Sequence, residues 1–232
     1  MSGTPVISII LPVLNEAGTI NEVIAHLREL ECADRAEIIV VDGDPEGSTV
    51  RAIQAEGIRT TLSAKGRARQ MNRGAGLASG DILLFLHVDT ELPRKALTLI
   101  AAAMKDSRSV AGAFDLGMKS DKPMFRVTEK YVFFRTRLTR IPFGDQAIFM
   151  RRSFFDELGG YRDIPIMEDV EIMKRIRKRG DKIIVIPEKV MTSVRRYEHE
   201  GIVSCTLRNW MLQILYALGV SPERLERFYR SS

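Results

Sequence analysis

The sequence predicts an α/β fold with a mixed, mainly parallel central sheet and flanking helices. Three observations carry this expectation. Strand-length apolar runs alternate with segments of helical periodicity along the first half of the chain. The strand runs are continuously apolar rather than alternating, as expected where helices cover both faces of a parallel sheet. The chain has 232 residues, 45% of them hydrophobic, enough to bury one sizeable core.

Residues 6–11 form the first apolar run, and 19–30 follow with Ile20, Val23, Ile24 and Leu27 at helical spacing. Residues 37–41 read as a second strand and 48–56 as a short helix stopped by Gly57. Residues 59–62 are a third strand, 66–78 a helix of small residues, and 82–87 a fourth strand. Residues 93–105 are a helix with Pro93 in its first turn. This order, βαβαβαβ, is that of a doubly wound sheet. The second half is mixed: 110–116, 147–150 and 182–186 read as strands, and 124–138, 168–179, 202–218 and 222–229 as helices. No repeat or linker separates the halves, so one domain is expected over 1–232, its two halves meeting near residue 105.

A charged share of 28% is ordinary for a globular protein and argues against disorder. The formal net charge of +5 suits an anionic partner such as a nucleoside diphosphate or an anionic lipid surface, with a solvated basic surface as the open alternative. The basic residues are scattered without an aromatic-interleaved element, so nucleic acid is not an expected partner. Cys32 and Cys205 make no CxxC pair, and free, buried thiols in a reducing, cytoplasmic compartment are expected. Residues 1–5 lack the basic start and cleavage site of a signal peptide. The stretch 202–220 is interrupted by Arg208, Asn209 and Gln213, short of the roughly 20 apolar residues a membrane span needs. Its apolar face of Val203, Leu207, Trp210, Met211, Ile214, Leu215 and Leu218 is expected to dock on the domain. A homodimer and a peripheral contact at the inner membrane surface are the alternatives.

Ligands of open α/β sheets bind beyond the carboxyl ends of the strands. Here those ends carry Pro12, Asn15 and Glu16, then Asp42, then His87 and Asp89. One acid after a strand is ordinarily a helix cap, but three polar clusters on one edge point to a site. Lys65, Gly66, Arg67 and Arg69 open a helix directly after a strand, where free N–H groups and full charges favour an anion. A solvated basic helix start is the alternative there. Glu168 and Asp169 open a basic helix, a position that the helix dipole favours for acids without any further role. No G-x-S-x-G elbow and no cluster of Cys and His is present, so neither a Ser-His-Asp triad nor zinc is expected.

Residues 7–16 ending in P-x-x-N-E, with 38–42 ending in V-V-D, resemble the opening of the inverting family-two glycosyltransferases of GT-A, Rossmann-like fold. The resemblance continues through 65–74, Gly80-Asp81, the fourth strand, Gly144-Asp145-Gln146, Glu168-Asp169 and Arg195-Arg196, and so spans nearly the whole chain. The His-x-Asp and Gly-Asp-Gln variants are most similar to small bacterial members assigned to arsenosugar biosynthesis.

The resemblance implies a nucleoside diphosphate sugar as donor, with UDP expected, and an acceptor hydroxyl. It gives Asp42 a hydrogen bond to the base, and Pro12, Asn15 and Glu16 the base and ribose pocket. Lys65, Gly66, Arg67, Gln70 and Asn72 go with the nucleotide and its diphosphate. For Pro12 a strand stop, and for Asn15 a turn, remain open. His87-Val88-Asp89 stands where the family usually has D-x-D, which implies a divalent metal, Mn2+ or Mg2+. The histidine puts that metal in question, and a hydrogen-bonded strand-end residue is its alternative. Asp169 is implied to be the general base, supported by Glu168. Gly144, Asp145 and Gln146 are implied to meet the acceptor, and Arg195 and Arg196 the diphosphate. Trp210 reads as core, and His199 stays outside the metal set. Two other functions are open: a nucleotidyltransferase of related fold and a non-catalytic nucleotide-sugar-binding protein. The first is disfavoured by a first turn, 12–18, that contains Glu16 but no Arg or Lys.

Overall fold

A computed structural model describes residues 7–230; Val6, the expected start of the first strand, and the side chains of Arg196, His199 and Arg230 lie outside the described set. The strands β1 (Ile7–Val13), β2 (Ala36–Asp42), β3 (Arg59–Leu62) and β4 (Ile82–Phe85) are joined by α1 (Ile20–Arg28), α2 (Ser48–Arg51) and α3 (Arg67–Leu77). Next come β5 (Thr90–Glu91), α4 (Ala96–Ala103), β6 (Ser109–Met118), α5 (Pro123–Thr139), β7 (Phe149–Arg151) and α6 (Arg152–Leu158). The chain continues through α7 (Glu168–Arg179), β8 (Lys182–Thr192), α8 (Arg195–Glu200), α9 (Ile202–Ala217) and α10 (Pro222–Arg230). One eight-stranded sheet results, in the order β3-β2-β1-β4-β7-β6-β8-β5. Its first four strands are parallel, β7 runs antiparallel between β4 and β6, and β6 pairs in parallel with β8. The expected mixed, mainly parallel sheet with flanking helices is what the chain forms.

Successive strand residues face opposite sides of the sheet. Ile9, Leu11, Val40 and Leu84 belong to one core, with Ile20, Ile24 and Leu27 of α1. Ile10, Ile39, Val41, Leu83 and Phe85 belong to the other, with Ala68 and Met71 of α3 and Ile172 and Met173 of α7. This two-sided burial is why the strands read as continuous apolar runs. At Gly74 an added Cβ would lie 2.5 Å from an Ile10 methyl and 3.0 Å from a Val41 methyl, so α3 rests on β1 and β2 at a distance that glycine allows.

Three local expectations are corrected. The helix expected over 48–56 ends at Arg51. The Asn21 side chain accepts from the Gln54 N–H and donates to the Ala52 carbonyl, which diverts the backbone from the helical ladder. The strand expected to stop at Ile186 runs on to Thr192. Its register against β6 shifts between Ile186 and Lys189, so Pro187, which has no N–H to donate, sits in a bulge. Cys32 is exposed rather than buried, while Cys205 is buried, and both are free thiols. The short elements β5, α6 and α8 carry too little periodicity to be read from sequence.

The Glu37 carboxylate ties the amino ends of the parallel strands together. It accepts from the Ser8 hydroxyl, the Ser79 N–H and hydroxyl, the Gly80 N–H and the Arg59 guanidinium. Burial works against its charge, but these donors outweigh burial and hold its pKa down at about 2. Its stabilising contribution is therefore present above the ordinary carboxylate value and is lost as pH falls toward 2. Glu37→Gln is expected to cost about 1–3 kcal/mol in a denaturant titration at pH 7. The difference from the parent protein should shrink below pH 4. Equal stability at pH 7 would show that the clamp contributes nothing.

Candidate active site

The carboxyl ends of β1 and β4 open into a cavity of about 440 Å³. Pro12 reaches it from the end of β1 and Glu16 from the turn that follows, and His87, Val88 and Asp89 from the segment after β4. Arg67 enters from the first turn of α3, and Asp145, Glu168 and Asp169 from the opposite side. Helices α5, α9 and α10 supply Tyr131, Arg135, Trp210, Gln213 and Tyr229. Sequence reasoning missed Arg135, because its position in α5 reads as a surface residue until α9 packs beside it. Trp210, expected in the core, is half-buried in the cavity wall, its ring 5.0 Å from that of Tyr131.

Backbone geometry brings the acids together. Met167 holds a left-handed conformation at φ 67°, an uncommon setting for a side chain of its size, and turns Glu168 and Asp169 into the first turn of α7. The Asp169 carboxylate accepts the Gly144 N–H at 2.6 Å and the Val170 N–H at 2.7 Å. A Cβ on Gly144 would lie 2.9 Å from the His87 ring and 3.2 Å from Asp169 Oδ2, so this glycine lets the loop press between them.

Several residues expected in the site lie outside the cavity lining. Asp42 is fully buried, and its oxygens accept backbone N–H groups from Asp44, Thr49 and Val50. It thereby organises the loop 43–50. Gln70 donates to the Val13 and Val41 carbonyls, bracing the ends of β1 and β2. Asn72 exchanges two hydrogen bonds with the Tyr161 backbone. Gln146, expected to bind sugar, is fully buried; its amide oxygen accepts from Arg135, Thr136 and the Phe143 N–H, and its nitrogen donates to Phe114. Asn15 is exposed in a left-handed turn, and Gly66 takes φ 138° at the start of α3. Lys65 and Arg195 are exposed and do not line the cavity, and the Arg196 side chain lies outside the described set.

The electrostatics are those of a crowded anionic pocket. Burial pushes the Asp145 carboxyl up to about 6; Arg135 draws it back, while the Asp169 and Asp89 charges push it further. Its Oδ1 is buried without a hydrogen-bond partner. Burial also pushes Glu168 up to about 7, with Arg67 opposing and Asp169 adding to the rise. The Arg67 side chain is 46% exposed and its guanidinium lies 3.5 Å from Glu168; partial desolvation works against its charge, yet Glu168 and Asp169 raise its pKa. Burial first, and then the Arg67 charge, lower the His87 imidazole to about 3, so it is neutral and available as a nitrogen donor. Among the described residues no three His, Cys, Asp or Glu side chains stand in metal-holding geometry. The orphaned Asp145 oxygen, the Asp89 carboxylate and the neutral His87 imidazole line one cavity, and two carboxylates with an imidazole suit Mn2+ better than Mg2+.

Asp145 should carry a stability cost that pH reveals. Between 3.8 and about 6 the native carboxyl keeps a proton that the unfolded chain has lost, so stability falls as pH rises through that window. In excess chelator, Asp145→Asn is expected to melt above the parent protein at pH 8 and level with it near pH 3.5. A lower melting temperature at pH 8 would mean that the carboxylate is a favourable structural partner.

Comparison with known proteins agrees with this architecture. The profile of Glycosyl transferase family 2 matches residues 8–159. A probable glycosyltransferase, YdaM of Bacillus subtilis (strain 168), is 25% identical over 215 residues, covering 82% of this chain and 51% of that protein. A PGL/p-HBAD biosynthesis glycosyltransferase of Mycobacterium bovis (strain BCG / Pasteur 1173P2) is 32% identical over 168 residues, covering 68% of this chain and 63% of that protein. The chain thus spans about half to two thirds of the length of these relatives. A mannosyltransferase from Pyrobaculum calidifontis, PcManGT, solved with GDP-Man and Mn2+, superposes over 96% of this chain and 67% of its own, with TM-score 0.69 and 20% identity. Staphylococcus aureus TarS 1–349, solved with UDP, superposes over 81% of this chain and 60% of its own, with TM-score 0.62 and 16% identity. These likenesses establish the GT-A fold, and with the profile spanning most of its length, the chain belongs to glycosyl transferase family 2.

Proposed function

We propose that the chain moves a sugar from a nucleoside diphosphate sugar, with UDP as the expected nucleotide, to an acceptor hydroxyl, inverting the anomeric carbon. The observation that carries this reading is Asp169, a pocket carboxylate aimed by two backbone N–H groups. A general base must be held within hydrogen-bond reach of the proton it removes. Asp169 takes the acceptor proton, the acceptor oxygen bonds to the anomeric carbon, and the bond from that carbon to the diphosphate breaks as the nucleoside diphosphate leaves. One base and no enzyme nucleophile mean a single displacement, hence inversion.

The remaining residues support that step. His87, Asp89 and Asp145 would hold a divalent cation, Mn2+ or Mg2+, which when bound offsets the charge of the diphosphate. Arg67 adds a full positive charge on the donor side and, paired with Glu168, keeps that neighbouring acid occupied. Pro12 and Glu16 wall the nucleotide side. Asp42 serves the base indirectly, through the loop 43–50 that its carboxylate holds. Tyr131 and Trp210 line the cavity and would meet the acceptor. The reading draws support from the relatives named as glycosyltransferases and from the GDP-Man and UDP held by proteins of the same fold.

Asp169→Asn keeps shape and removes basicity. It should lower kcat by on the order of 10²-fold, read as release of UDP or GDP from UDP- or GDP-sugars, with calorimetric affinity for the nucleotide unchanged. Glu168→Gln should cost less. A fully active Asp169→Asn beside an inactive Glu168→Gln would exchange the two roles; two active variants would remove the pair from catalysis.

A further inference from the structure

Helices α5 and α9 each bury one face and leave a second apolar face in solvent. On α9 the buried side is Cys205, Arg208 and Leu212, and the opposite side is Val203, Leu207, Met211 and Ile214, continued by the capping Leu218, all exposed. On α5, Val127, Tyr131, Phe134 and Leu138 follow one another at helical spacing and are exposed, Leu138 at 88% and Phe134 at 68%. A surface helix of a soluble domain ordinarily turns polar residues to that side. The two helices are neighbours: Tyr131 stacks near Trp210 at 5.0 Å, and Arg135 reaches Gln213. Of the thirteen exposed large hydrophobic residues described, all but Leu62 lie on α5, α9 and α10 or, for Leu218, cap the end of α9. Contiguous apolar surface of this kind marks an interaction site.

We infer that this face docks on an anionic lipid surface, with α5 and α9 lying in the plane of the headgroups. The charge pattern selects this occupant. Helix α9 contains no acidic residue, and the acid of α5, Glu129, is buried. Lys130 and Arg140 are exposed beside the apolar stripe of α5, and on α10 Arg224 and Arg227 are exposed together with one acid, Glu223. Basic residues flanking an apolar face are attracted to anionic headgroups while the apolar side chains enter the acyl boundary. A second copy fits less well, because α5 and α9 expose no acidic residue that could pair with the basic residues of another copy. No described helix is long and apolar enough to cross a membrane, so the contact is with one leaflet. The cavity wall formed by Tyr131 and Trp210 adjoins the docking face, since Tyr131 belongs to both. The inference rests on surface composition and stands apart from the proposed reaction.

The test is sedimentation of the full chain with vesicles of phosphatidylcholine alone or mixed with phosphatidylglycerol. Binding is expected to the anionic vesicles, to weaken with salt, and to be lost in Phe134→Gln with Leu138→Gln. Lys130→Gln with Arg140→Gln should weaken it by on the order of tenfold. Melting temperatures of these variants should match the parent protein, since the side chains are exposed. If the apolar variants melt early, the Lys130 and Arg140 pair decides the question alone. Absence of vesicle binding at low salt would overturn the inference, as would vesicle binding insensitive to the substitutions. A concentration-dependent dimer abolished by the apolar variants, without vesicle binding, would assign the face to a second copy.

Discussion

Like charges held close in a partly dry cavity govern this molecule. Asp89, Asp145, Glu168 and Asp169 converge on one pocket, and against them stand Arg67 and Arg135. Burial first, and then the neighbouring acids, raise Asp145 and Glu168, and one Asp145 oxygen is buried without a hydrogen-bond partner. A cavity of this kind costs folding stability unless a cation or a cationic partner completes it. Such a cost is retained where it serves binding or catalysis, and perturbed acids gathered in a cleft are the physical mark of such a place.

Much of the surrounding structure holds that cluster in position. Gln146 uses its whole amide to join α5, β6 and the 143–146 turn, so that Gly144 can press against His87 and Asp169. Asp42 fixes the loop after β2, and Gln70 locks the ends of β1 and β2. These polar residues are buried beneath the site rather than lining it. At the far edge of the sheet Glu37 gathers four strands, leaving the carboxyl edge open.

This division explains what the sequence disclosed. The parallel half was legible because strands buried on both faces are continuously apolar, and α1 and α3 have clear helical spacing. The edge carrying the chemistry was legible because polar residues recur after successive strands. What sequence does not encode is whether a polar side chain at that edge points out or in. Asp42, Gln70 and Gln146 belong to the matching motifs yet point inward, and Arg135 belongs to none yet enters the cavity. Helix α9 reads as a docking helix, and it does dock, through Cys205, Arg208 and Leu212. Of the wider apolar face expected to be buried, Val203, Leu207, Met211, Ile214 and Leu218 are left exposed, while Trp210 and Leu215 are half-buried.

The central claim is that the anionic cluster binds a nucleoside diphosphate by sharing a divalent cation with it. Isothermal titration of chelator-treated protein with UDP and with GDP, with and without Mn2+, tests it most directly. Binding of one of them that requires Mn2+, and that Asp145→Asn or Asp89→Asn weakens, is the result this account predicts. Binding of equal strength without metal, or no binding of either nucleotide with Mn2+ present, would contradict it.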